Sequence, residues 1–241
     1  MNTLPSAWSL LHQALSLFLK NLKYFLKFYL ASFLAVVILF IVFFIANFAL
    51  MAITKNTSGP FVALLGTFTF VAFLIVVSWL VAAGLLMTKS VINNQLLSMK
   101  AIFIQSKKLI LPLFGTNLLT GLIVLVGYLL LIIPGIILTV KYAFTQYIVI
   151  DENLSGLAAL KRSQELVKGK FWKVLGYSLF PTVVIFLLSF ITSFVAQQLK
   201  ASAPLVSYTI SFASSLLSWV LSAVILMYSY LVYKNFVSAR S

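Results

Sequence analysis

The chain is 241 residues long, 63% hydrophobic and only 8% charged, whereas a soluble domain is about half apolar and about a quarter charged. That composition excludes an ordinary soluble globule. Its 17 Lys and Arg face only three acids, Asp151, Glu152 and Glu165, for a formal charge of +14, and cysteine is absent, which removes disulfides, thiolate metal sites and a cysteine nucleophile together.

The first unbroken apolar run begins only near Phe28, too late for the h-region of a cleaved signal, so the first membrane segment is expected to be retained. Before it, Trp8, Leu11, Leu15, Phe18, Leu22 and Phe25 recur at steps of three and four, while Gln13, Lys20 and Lys27 fall on another face. This spacing predicts an amphipathic helix. Two placements fit it: in the headgroup boundary with its lysines toward anionic lipid, or against the ends of its own bundle. The single histidine, His12, lies in this helix as a headgroup-level polar residue.

A membrane helix needs about 20 apolar residues to cross a hydrocarbon core of about 30 Å. Phe28 to Ile53 and Phe61 to Met87 satisfy this without a charged residue, separated by the polar turn from Lys55 to Pro60. A second, shorter amphipathic segment follows from Leu97 to Lys108, with Ser98 in the capping position. The next apolar run, Leu109 to Ile150, has 42 residues and would measure about 63 Å as one helix. Pro134-Gly135 lies inside it, where proline disfavours helical geometry at Ile133 and glycine permits a reversal. A hairpin is therefore predicted, Leu109 to Ile133 and then Ile136 to Ile150.

Lys141 is the one ionisable residue inside a predicted span, and burying such a charge is costly enough to make it a candidate site. Counted from Ile136, it lies about 8 Å below the outer end of its span. Either its ammonium reaches back to that surface along its stem, or it holds an anionic headgroup or solute phosphate in a cavity beside Pro134 and Gly135.

The third amphipathic segment, Leu154 to Lys170, sets Leu157, Leu160, Val167 and Phe171 against Lys161, Arg162, Glu165 and Lys168. Glu165 is expected to pair with Lys161 and Lys168 at helical spacing, Asn153 or Ser155 to cap the helix, and Gly169 to stop it. Val174 to Val195 and Leu205 to Tyr233 complete six spans. In the last, Ser207, Ser211, Ser214, Ser218 and Ser222 follow steps of 4, 3, 4 and 4. That small polar stripe suits close helix packing with hydrogen bonds across the contact, or a hydrated pathway.

Basic residues in short loops favour the cytoplasmic side. With six spans and an internal N-terminus, fourteen cations fall inside, among them Lys20, Lys23, Lys27, Lys161, Arg162, Lys168, Lys170 and Lys173, and only Lys55 and Lys200 outside. The expected architecture is all-α: a polytopic membrane protein with six transmembrane helices, cytoplasmic amphipathic helices and both termini inside, forming one domain. The recurring order of amphipathic helix, basic junction and two spans divides it into units 1–87, 88–150 and 151–241. Those units fit a parallel triple repeat, or the three hairpins that any even six-span chain contains.

Ile133-Pro134-Gly135-Ile136-Ile137, Lys141-Tyr142, Asp151-Glu152, Ala159-Leu160-Lys161-Arg162-Ser163 and Leu166-Val167-Lys168-Gly169-Lys170-Phe171-Trp172 follow one another over about forty residues. In this order they resemble the YciC-like bacterial membrane proteins and the related membrane domain attached to some glycerophosphoryl diester phosphodiesterases. The resemblance implies architecture more than activity, because the acidic and histidine residues of the phosphodiesterase's soluble barrel are not among these residues.

Enzyme chemistry is not expected. No span contains a carboxylate, His12 is far from any acid, and no phosphate-binding glycine loop is present, so neither metal nor cofactor is anticipated. The basic residues border apolar spans without a soluble basic module, so anionic lipid rather than nucleic acid is the expected partner. Two classes follow: a non-enzymatic, lipid-associated scaffold or envelope-maintenance factor of a bacterial plasma membrane, or a permease or lipid transporter for an anionic headgroup or small solute.

Overall fold

The computed structural model describes residues 4–54, 60–200 and 202–239. Most of the first polar turn, with Lys55, and the C-terminal Arg240 lie outside the described residues. Among the described residues the fold is all-helical: α1 (Ala7–Lys20), α2 (Leu22–Thr54), α3 (Pro60–Ile92), α4 (Met99–Lys107), α5 (Ile110–Leu130), α6 (Ile132–Lys141), α7 (Thr145–Asp151), α8 (Leu157–Val167), α9 (Phe171–Leu199) and α10 (Pro204–Ser238). Six segments are long and apolar enough to cross a membrane: Leu22–Ala49, Gly66–Ile92, Ile110–Leu130, Ile132–Asp151, Phe171–Leu199 and Pro204–Ser238. A short helix thus precedes a pair of apolar ones three times, with α7 interposed before the third set.

Local signals explain several boundaries. Ser6 and Ser98 each accept a backbone N–H three residues on, from Ser9 and Ala101, and so start α1 and α4. Gly169, at φ 78°, follows the end of α8 where the sequence placed a stop.

Two boundaries differ from expectation. The reversal between α5 and α6 is made at Leu131, in extended conformation, and Ile133 is helical. Pro134 sits in the first turn of α6, where its missing N–H would have had no intrahelical partner and its fixed φ suits the helix. The α8 N-terminus is Gly156 rather than a capping side chain of Asn153 or Ser155, and the Gly156 N–H donates to Thr116 Oγ1 of α5 at 2.8 Å.

The packed core lies at one end of the long helices. Phe25 and Phe28 of α2, Ala82 to Leu85 of α3, most of α7 and Tyr228, Tyr230, Tyr233 and Phe236 of α10 are buried there. Ala82, Ala83 and Gly84 have side chains too small to hold neighbours apart, and a Cβ on Gly84 would stand 3.6 Å from Leu226 and 3.8 Å from Phe28, the close approach small residues allow. Farther along α2 and α3, and on α9, Phe40, Phe44, Phe68, Phe70, Phe186 and Phe190 are all exposed. An apolar surface of that extent on three long helices is a lipid-facing surface.

The short helices are tied to this core. α1 packs Leu10, Ala14 and Phe18 against it and is drawn to α9 by the Tyr177 hydroxyl, which donates to the Pro5 carbonyl. Leu11 and Leu17 are partly buried against the core, and Trp8, Leu15 and Leu19 remain exposed, so one face packs on the bundle and a second is free for lipid. α4 is held along α3, where the Trp79 indole donates to Ser106 Oγ at 2.8 Å and Phe103 stacks on Phe28 at 5.7 Å. In α8 the buried side is Ala159, Leu160, Ser163, Leu166 and Val167, while Leu157 is 71% exposed. The expected apolar face is thus rotated, because the small, doubly bonded Ser163 turns toward the core.

Candidate functional site

Each of the three carboxylates meets a cation, and two of them do so beside buried tyrosines. Asp151, the last residue of α7, takes Lys89 of α3 at 2.9 Å and Lys234 of α10 at 3.6 Å. It also accepts the Tyr230 hydroxyl at 2.6 Å. Lys89 donates in addition to the Ile150 carbonyl at 2.9 Å. Glu152 pairs with Arg162 of α8 at 2.8 Å and accepts the Tyr233 hydroxyl at 3.3 Å. Glu165 also lies 3.8 Å from Arg162. Arg162 is held above its ordinary pKa, first by the hydrogen bond it donates to Glu152, against some desolvation, and then by the negative charges of Glu152 and Glu165.

The sequence brings these groups together through aromatic packing. Phe144 meets Tyr233 and Phe236 at 5.9 and 5.4 Å, and Tyr147 meets Tyr230 and Tyr233, each at 5.7 Å. These rings place α7 across α10 and carry Asp151 to Lys234. The Asp151 side chain is only 12% exposed, so its charge requires such partners. Chemically the cluster is an ionic clamp joining α3, α7, α8 and α10. Lys89, Tyr230 and Tyr233 were not singled out from sequence. The signal for them was the scarcity of acids: three carboxylates among seventeen cations are each expected to be claimed.

The residues singled out from sequence are dispersed. Lys141 ends α6 and is exposed. Its carbonyl accepts Ser163 Oγ of α8 at 2.8 Å, which puts it beside the basic helix α8 rather than near the far end of its span. The reason is that the apolar helix containing it starts at Ile132 and ends at Lys141, so the lysine is at its close rather than near its start. Pro134 and Gly135 open the same helix. A Cβ on Gly135 would overlap the Tyr128 ring, and one on Gly127 would stand 2.6 Å from Leu138, so these glycines let α5 and α6 touch.

The serine stripe faces α9. Ser207 donates to the Ala196 carbonyl of α9 at 2.7 Å, a packing contact. Farther along, Ser214, Ser218 and Ser222 with Ser215 oppose Ser189, Thr192 and Ser193 around a cavity of about 520 Å³. Its lining comes from α9 and α10, without Lys141, Pro134 or Gly135. Ser211 and Ser214 donate to carbonyls of their own helix. Among the basic residues, Lys20, Lys23, Lys27, Lys161, Lys168 and Lys173 are exposed. Arg162 is engaged by Glu152, and Lys170 lies 5.5 Å over the Phe236 ring.

Fold and surface together define a polytopic, all-helical membrane protein with a packed end and a lipid-facing end. The chain belongs to the family described as Domain of unknown function (DUF7847), which matches residues 60–236. No curated protein and no solved structure matches it.

Proposed function

We propose that the protein is a non-enzymatic, lipid-associated scaffold or envelope-maintenance factor of a bacterial inner membrane, with the packed end and both termini on the cytoplasmic side. The observation that carries this reading is α1. Leu10, Ala14 and Phe18 anchor it to the core, while Trp8, Leu15 and Leu19 stay exposed on the same helix as the exposed Lys20. Lys23 and Lys27 extend the basic surface onto α2. A helix with an apolar stripe and neighbouring lysines binds the headgroup region of anionic membranes, each lysine adding about 1 kcal/mol. Engagement of all three acids in ion pairs supports a structural rather than a chemical use for them.

The test is thermal unfolding of the detergent-purified protein with phosphatidylglycerol, cardiolipin or phosphatidylcholine, at low and high salt. A ligand that prefers the folded state raises the transition temperature. Stabilisation by both anionic lipids, reduced by salt and by the triple change Lys20→Gln, Lys23→Gln and Lys27→Gln, is the expected result. Equal stabilisation by phosphatidylcholine would overturn it.

The hydroxyl-lined cavity between α9 and α10 favours a second reading, a permease or lipid transporter for an anionic headgroup or small solute. On that reading Ser218→Leu abolishes solute flux into proteoliposomes and leaves lipid stabilisation unchanged.

A further inference from the structure

Three hairpins project from the packed end, and the one made by α5 and α6 is unlike the other two. The loop between α9 and α10 contains Lys200 and Ser202, and the turn between α2 and α3 contains Lys55, Asn56 and Ser58. The reversal between α5 and α6 is Leu129-Leu130-Leu131-Ile132-Ile133, with each residue 68–77% exposed. Such a tip is costly in water and suited to hydrocarbon.

The lengths limit where that tip can lie. Thr116 is bonded to the start of α8 through Gly156, and the Lys141 carbonyl to Ser163 in the middle of α8. Beyond those two ties the hairpin extends about 21 Å along α5 and about 15 Å along α6 at 1.5 Å per residue. α7 adds no depth. Its first end, at Phe144, meets Tyr233 and Phe236, and its last, Asp151, meets Tyr230 and Lys234, so both ends lie against the same stretch of α10. The exposed Lys161 and Lys168 keep α8 at the water boundary, and the hydrocarbon core is about 30 Å thick. Ile110–Leu130 and Ile132–Asp151 are each long enough to cross, but their packing directs only part of that length away from α8.

We propose that the α5–α6 hairpin is re-entrant: it docks its tip into the acyl chains of the leaflet on the α8 side and turns back without reaching the far face. Its construction fits that environment. The Leu131 N–H donates to the Gly127 carbonyl at 3.1 Å, the Gly135 N–H to the Leu131 carbonyl at 3.3 Å, and Thr139 Oγ1 to the Gly135 carbonyl at 2.9 Å. Pro134 removes one further donor from the exposed first turn, where a free N–H in lipid would be penalised. Gly127 and Gly135 bring the two helices together so that their facing surfaces need no lipid. The hairpin engages one leaflet, while α2, α3, α9 and α10 have the length to engage both.

The cysteine-free chain gives a direct test in the full-length protein. Leu131→Cys, Ser202→Cys and Ser155→Cys are each placed in sealed membrane vesicles of both orientations and treated with a membrane-impermeant maleimide. Ser202→Cys should label from one face and Ser155→Cys from the other. Leu131→Cys should label from neither, and fully once detergent is added. Labelling of Leu131→Cys together with Ser202→Cys would show a complete crossing; labelling together with Ser155→Cys would show a hairpin lying in water. Either result overturns the proposal. Leu131 is exposed, so its replacement removes no packing. A nitroxide on the same thiols supplies a second measurement, since collision with oxygen relative to a soluble nickel chelate should be several-fold higher at 131 than at 155 or 202. A value at 131 equal to that at either loop would overturn the proposal independently.

Discussion

Lys89, in the last turn of α3, stands 2.9 Å from Asp151, sixty-two positions later at the end of α7. The two charges close the packed end of the molecule, because the same carboxylate also takes the Tyr230 hydroxyl and faces Lys234. With the Asp151 side chain only 12% exposed, removing it leaves partly buried donors without an acceptor. Asp151→Ala is expected to cost about 2 kcal/mol, in the range for a hydrogen-bonded charged group. Lys89→Ala should cost less, since its side chain is 30% exposed, and the double variant less than the sum of the two. Thermal unfolding of the four proteins in detergent gives the coupling; strict additivity would show that the pair contributes nothing.

Ser163 is fully buried and works in two directions, accepting the Phe144 N–H at 3.2 Å and donating to the Lys141 carbonyl at 2.8 Å. Ser163→Ala, which removes only the hydroxyl, should destabilise by about 1–3 kcal/mol by leaving both groups unpaired. Ser211→Ala, on an exposed position whose hydroxyl bonds only its own helix, should change stability by less than about 0.5 kcal/mol. Equal effects would contradict the structural role of Ser163.

At the α5–α6 contact a Cβ on Gly135 would fall where the Tyr128 ring already lies. Gly135→Ala therefore forces the ring or the helices to move and should cost about 1–3 kcal/mol, as overpacking does. Placing it in a Tyr128→Ala background should recover most of that loss. Failure of the second change to relieve the first would mean that the penalty lies elsewhere.

Gly156 and Gly176 separate backbone strain from packing, since a Cβ at either meets nothing within 4 Å. Gly156 adopts φ 57° and ψ −135°, a combination essentially confined to glycine, and Gly156→Ala should cost about 1–3 kcal/mol. Gly176 is inside α9, where Gly176→Ala should be neutral or stabilise by up to about 1 kcal/mol. The opposite ordering in thermal unfolding would contradict the described α8 start.

The elements legible in the sequence are those set by local partition and local hydrogen bonding. The six apolar segments follow from runs such as Phe28 to Ile53, because transfer to lipid acts on each segment separately. Ser98 and Gly169 were readable because a cap concerns only a few neighbouring residues. Leu131 was missed as the reversal point because Pro134-Gly135 is the louder turn signal, and proline is tolerated in a first helical turn. Lys141 closes α6 rather than lying near its start, because that helix begins at Ile132, before Pro134-Gly135, and is capped at Tyr142.

The sequence by itself therefore determined that this is an all-helical membrane protein, where its apolar segments lie and which loops carry the charge. Only the tertiary structure decided that Lys89, Lys234 and Tyr230 converge on Asp151, that Ser163 turns inward and that α7 lies across α10 instead of lengthening α6. The physical reason is range. Hydropathy and helix capping depend on neighbours within a few turns, whereas an ion pair between α3 and α7 depends on how buried rings such as Tyr147 and Tyr233 stack. Many arrangements of the same apolar helices satisfy the lipid equally, and the packing of those rings selects among them.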